Sequence, residues 1–144
     1  MSNSDISAAS RSYRILLVDD NDADIYLFRR ALKKSGVDCE LTVIEDGAEA
    51  FTFARQQGKY ASHPVPDLAV LDLNLPKHGG SEILKRLRQN EHFKEMPVVI
   101  MTSSISLNER AELDGLGVLL FLIKPQGLEE FLQIGESLKS LLAK

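Results

Sequence analysis

Four uninterrupted apolar runs, each ending on a chemically useful residue, constrain this chain more than any other feature. Ile15-Leu16-Leu17-Val18 runs into Asp19-Asp20, and Leu68-Ala69-Val70-Leu71 into Asp72. Val98-Val99-Ile100-Met101 runs into Thr102-Ser103, and Leu119-Leu120-Phe121-Leu122-Ile123 into Lys124. Runs of this kind, bounded by turn residues, read as strands buried on both faces, as in a parallel sheet covered by helices. The C-terminal ends of such strands share one edge, and ligands bind along it. Three carboxylates, a hydroxyl and an ammonium are therefore predicted to converge there from distant parts of the chain.

The segments between the runs carry helical periodicity. Asn21 to Lys34 places Ile25, Phe28 and Leu32 on one stripe, widened by Leu27 and Ala31. Asp22 and Asp24 fall in its first turn and Lys33-Lys34 in its last, as the helix dipole favours, and Ser35-Gly36 stops it. Leu41 to Ile44 is a short β-branched strand, and Gly47 to Gln57 a helix with Ala50, Phe51 and Ala54 as its inner face. Gln56 to Asp67 reads as a long loop. Ser81 is a candidate cap for a helix reaching Gln89, with Ile83, Leu84 and Leu87 inward. Leu107 to Leu116 is a short helix, Val118 to Ile123 the fifth strand, and Leu128 to Leu142 the last helix. Five βα units give an α/β fold, a doubly wound parallel sheet of five strands with helices on both faces.

A chain of 144 residues has room for one domain with a proper core. Residues 1–12 are Ser-rich and read as a short disordered lead, leaving 13–144 as the folded domain. The lead lacks the apolar centre of a signal peptide, and no stretch is long enough for a membrane span. A net charge of −4 gives no reason to expect nucleic acid. The single cysteine, Cys39, cannot form an internal disulfide, reads as a half-buried residue entering a strand, and fits a reducing cytoplasm.

Asp19, Asp20 and Asp72 at one edge repel one another, so the site needs a cation. Hard oxygen donors in a small open cluster suit Mg²⁺, which keeps several waters and accepts a phosphate oxygen. With that charge in place, a carboxylate oxygen of Asp72 is free to attack phosphorus and form an acyl phosphate. Lys124 offers a point charge to the phosphoryl group, Thr102 a hydroxyl, and Ser103 a backbone amide.

Those residues resemble a known family. Asp-Asp after strand one, Asp after strand three, Thr after strand four and Lys-Pro after strand five resemble the response-regulator receiver domain of two-component signalling, over about Arg14 to Leu142. The resemblance implies the CheY-like (flavodoxin-like) strand order 2-1-3-4-5. It implies a phosphoryl group on Asp72 from a histidine kinase, and Mg²⁺ held by Asp19, Asp20, Asp72 and the backbone carbonyl of Asn74. Thr102 and Lys124 then sense the phosphoryl group, and Phe121 follows the threonine as the aromatic switch. Such a protein turns over no free substrate; it catalyses only its own phosphorylation and dephosphorylation. Asp72-Leu-Asn-Leu-Pro-Lys77, the long loop and the absence of an output segment resemble the stand-alone regulators associated with phytochrome-type kinases.

Plainer readings stand beside these. Asp19 can simply cap the first helix, Ser104 reads as a turn residue, and periodicity alone makes Phe121 a core residue. His63, His78 and His92 have no metal-ligand spacing and read as solvated. The last helix and Val118-Leu119-Leu120 carry more apolar surface than one sheet face needs, so a homodimer through helix four, strand five and helix five is a candidate assembly. Gly79, Gln126-Gly127 and Val118-Leu119-Leu120 depart from the usual receiver pattern. The competing functions are a constitutive interaction module and an aspartyl-phosphate phosphatase, for which Asn74 stands where a second acid is needed. A flavin carrier is a third, disfavoured because Asp20-Asn21-Asp22 would repel its phosphate.

Overall fold

The computed structural model describes residues 12–143, so all of the expected lead but Ser12 lies outside the described residues. In chain order the elements are β1 (Tyr13–Val18), α1 (Asp22–Lys34), β2 (Cys39–Ile44), α2 (Gly47–Ala54), β3 (Leu68–Leu71), α3 (Gly80–Gln89), β4 (Val98–Thr102), α4 (Leu107–Asp114), β5 (Val118–Ile123) and α5 (Leu128–Leu142). All neighbouring strands pair in parallel, in the order β2-β1-β3-β4-β5.

The alternation of strand side chains builds two cores. Ile15, Leu17, Leu68, Val70, Val99 and Met101 face α1 and α5, meeting Ile25, Phe28, Leu32, Phe131, Ile134 and Leu138. Their neighbours Leu16, Val18, Ala69, Leu71, Val98 and Ile100 face α2, α3 and α4. A period of two along each central strand thus feeds both faces, which is why those runs contain no polar residue. The helices α1 and α5 pack closely because residue 135 is glycine: a Cβ there would meet the Ala31 carbonyl and, at 2.5 Å, the Ser35 hydroxyl oxygen.

The fourth apolar run departs from expectation. β5 is an edge strand, so it is only half-buried, and Leu119 and Ile123 are exposed. Val118 pairs with Val98 but Leu120 with Val99, which leaves Leu119 without a partner. This bulge resets the alternation, because a slip of one residue moves every later side chain to the other face. Leu120 and Leu122 therefore join the α1/α5 core, and Phe121 turns with Val118 towards α4.

Several boundaries also differ. α2 ends at Ala54, since Gln56 takes a left-handed conformation (φ 54°). Its inner face carries Phe53, three residues after Ala50, while Phe51 moves to the rim and packs edge-on against His78. Ser81 lies inside the first turn of α3, whose N-cap is Gly79. The loop 56–67 contains a 3-10 turn, Gly58–Tyr60, that buries Tyr60. His63 and His78 are half-buried against aromatic rings, and only His92 is exposed as expected. α4 stops at Asp114 and starts with a Ser106–Glu109 capping box.

Candidate functional site

Asp19 and Asp72 are built in the same way. Each follows a buried strand and continues the ladder by its amide, Asp19 to the Ile44 carbonyl at 3.0 Å and Asp72 to the Val18 carbonyl at 2.9 Å. In each, Oδ1 accepts the amide two residues on, Asn21 or Asn74, at 2.9 Å. That Asx turn fixes the carboxylate and leaves Oδ2 aimed across the sheet edge. Asp19 is fully buried, Asp72 nearly so, and Asp20 is exposed.

Lys124 fills the space between them. Its side chain is 7% exposed, and Nζ lies 2.7 Å from Asp72 Oδ2, 2.9 Å from Asp19 Oδ2 and 2.8 Å from Asp24 Oδ2. Burial disfavours its charge, but the carboxylates of Asp24, Asp72 and Asp19 more than compensate and push its pKa above the ordinary lysine value. Burial pushes the Asp19 carboxyl up, and the Lys124 ammonium and Asn21 amide offset only part of the shift. At the acidic rim, a hydrogen bond with Asp22 raises the exposed Glu45 carboxyl.

Four carboxylates against one ammonium leave this edge strongly negative. Oxygens of Asp19, Asp20 and Asp72 all lie within 4.8 Å of one another. Among the described residues, Asp19 Oδ2 is a buried polar atom with no hydrogen-bond partner, since its contact with Lys124 is an ion pair without hydrogen-bond geometry. A small oxygen-seeking divalent cation answers both features, so the donor set fits a metal.

Thr102 ends β4 at the same edge, buried, with its hydroxyl bonded to Asn74 Oδ1 and 3.2 Å from the Ser104 carbonyl. Ser103 is exposed just beyond it. Phe121 lies away from the carboxylates, opposite Ile100 in the ladder, with the Arg110 guanidinium 4.2 Å from its ring centroid. Two side-chain contacts are not legible in the sequence. Asp24 read only as a dipole residue, because it falls in the first turn of α1 and nothing in that helix's periodicity aims it at Lys124. The Asn74 side chain reads as one that shapes water access to Asp72; its bond with the Thr102 hydroxyl is a tertiary contact that the sequence does not name. Close packing also shapes the edge: a Cβ at Gly80 would lie 2.7 Å from the Asp72 carbonyl oxygen. A cavity of about 420 Å³, lined by Arg88, Met96, Pro97 and Leu116 among others, sits at the opposite edge and contains none of these residues.

The response regulator receiver domain family matches residues 15–135. This chain belongs to that family, and is thus a receiver domain of two-component signalling. It is 39% identical over 126 residues to response regulator Rcp1 of Synechocystis sp., covering 88% of this chain and 86% of that protein. The crystal structure of the phosphorylated cyanobacterial phytochrome response regulator RcpA superposes with a TM-score of 0.84 at 36% identity, covering 93% of this chain and 96% of that one. The manganese-bound form of Rcp1 superposes with a TM-score of 0.80 at 38% identity, covering 89% and 92%. The fold, its strand order and the resemblance to phytochrome response regulators agree with the reading of the sequence.

Proposed function

We propose that the protein accepts a phosphoryl group on Asp72 from a histidine kinase in a Mg²⁺-dependent reaction, and thereby switches a partner-binding face. The observation that carries this reading is the position of Asp72 Oδ2, 2.7 Å from Lys124 Nζ within the Asp19, Asp20 and Asp72 cluster. Asp19, Asp20, Asp72 and the Asn74 carbonyl would hold Mg²⁺, which when bound supplies charge neutralisation for phosphoryl oxygens. A carboxylate oxygen of Asp72 attacks phosphorus, the P–N bond to the donor imidazole breaks, and the imidazole leaves with a proton. Lys124 pairs with one phosphoryl oxygen, Thr102 gives up its bond to Asn74 to reach another, and the Ser103 amide serves a third.

Movement of Thr102 draws Phe121 inward from beneath Arg110 and favours one of two packings of the α4–β5–α5 face. Leu119, Ile123 and Leu128 are exposed on β5 and α5, which supports this face as the partner or homodimer surface. The name of RcpA supports a phytochrome-type kinase as donor. No helix among the described residues is long and apolar enough to cross a membrane, consistent with work in the cytoplasm. Self-phosphorylation and self-dephosphorylation are its only catalysis.

Beryllofluoride titration with Mg²⁺, followed by amide NMR, tests the site. Saturable, Mg²⁺-dependent shifts at Asp72, Thr102 and Lys124 are expected, and loss of them in Asp72→Asn. A wild type that never responds would favour the constitutive interaction module.

A further inference from the structure

Asp24 is the one contact of Lys124 that the strand-end chemistry does not explain. Its Oδ2 lies 2.8 Å from Nζ, across 100 residues of sequence. It is held there by the fold: the Asn21 side chain accepts the Asp24 amide at 3.0 Å, and the next residue, Ile25, is buried. Its carboxylate is 21% exposed, and it stands outside the trio whose oxygens lie within 4.8 Å of one another.

The ammonium has three N–H donors, and three carboxylates surround it. Two of the oxygens set against it, Asp19 Oδ2 and Asp72 Oδ2, are the atoms left over after the backbone takes each Oδ1. A divalent cation at the trio draws on those same two carboxylates. The ammonium and the metal therefore compete, and metal entry requires Nζ to retreat without becoming a buried unpaired charge, which is costly. Asp24 is the partner that remains.

We propose that Asp24 is a positioning residue for Lys124: it holds the ammonium when a divalent cation takes Asp19 and Asp72, and so keeps the lysine beside the phosphoryl site. This deepens the proposed phosphoryl chemistry and rests on it. The role is specific to contact, since Asp22 adds the same charge one helix position away from Asp24's neighbour without an ion pair to Lys124. Without Asp24 the ammonium stays on Asp19 and Asp72, and the metal must displace it against its full attraction.

Calorimetric titration of the whole chain with Mg²⁺ tests this. Asp24→Asn is expected to weaken binding about fivefold, as a coupled contact should. Asp22→Asn, the charge control, and Asp24→Glu, the rescue, should each stay within about twofold of wild type. In a Lys124→Gln background the Asp24→Asn effect should shrink to less than about twofold. Equal losses in Asp22→Asn and Asp24→Asn, or no loss in either, would overturn the proposal. The broader reading is judged separately: a wild type that binds Mg²⁺ with the expected Asp24 dependence but never gains a phosphoryl group refutes the phosphoacceptor role alone. A wild type that binds no Mg²⁺ overturns both.

Discussion

Lys124 Nζ and Asp72 Oδ2 lie 2.7 Å apart with side chains 7% and 5% exposed, so the proposed phosphoacceptor and the lysine proposed to sense it form a buried ion pair. Removing one partner of such a pair leaves the other uncompensated, at a cost of about 3 kcal/mol. Lys124→Met should therefore lower the stability of metal-free protein by roughly that amount, and saturating Mg²⁺ should narrow the gap. Urea unfolding in chelator and in Mg²⁺ checks both. Equal stability of variant and wild type in chelator would contradict the pairing.

Arg88 holds the far edge of the sheet together. Its Nε donates to the Leu116 carbonyl at 2.8 Å, and Nη1 to those of Met96 at 2.7 Å and Phe93 at 2.9 Å. The guanidinium fork thereby joins the segment before β4 to the turn before β5. A lysine has no such fork, so Arg88→Lys should cost about 2 kcal/mol in chemical denaturation despite the conserved charge. A change below about 0.5 kcal/mol would mean that water serves these carbonyls equally well.

Gly135 sets the distance between α1 and α5. Its missing Cβ would collide with the Ala31 carbonyl and the Ser35 hydroxyl. Although alanine is the better helix former, Gly135→Ala should destabilise the fold by about 2 kcal/mol through overpacking. A more stable variant would show that the helices separate freely.

Tyr60 gives a pH signature away from the acidic edge. Burial, then the hydrogen bond to Glu49 and that residue's charge, push its phenol well above the ordinary tyrosine value. Because the folded value is raised, the stability it contributes is fully present below the ordinary value of 10.0 and is lost as pH rises through the folded value. Spectrophotometric titration should show one late phenolate component, absent in Tyr60→Phe. The variant should also lose less stability than wild type above about pH 10. A titration curve unchanged by the substitution would refute the assignment.

The central strands were legible because being buried on both faces demands unbroken apolar runs, as in Ile15 to Val18 and Val98 to Met101. The same logic failed for Leu119 to Ile123. An edge strand that offers apolar residues to two cores and to solvent reads identically, and a bulge at Leu119 leaves no mark in composition. Asp19, Asp20, Asp72 and Lys124 were legible as strand ends. Asp24 was not, since its role depends on where α1 lies against β5, a tertiary relation that helix periodicity does not encode. Phe53 displaced Phe51 for a tertiary reason: its ring packs against Tyr60 and Phe93, partners that the periodicity of the helix does not name.

The central claim is tested most directly by intact mass after incubation with acetyl phosphate, with and without Mg²⁺, for wild type and Asp72→Asn. In this reaction an Asp72 carboxylate oxygen attacks phosphorus and acetate departs. The account predicts one added phosphoryl group on wild type, dependent on Mg²⁺ and absent from the variant. Equal labelling of Asp72→Asn, or no labelling of folded wild type that binds Mg²⁺ and beryllofluoride, would contradict it.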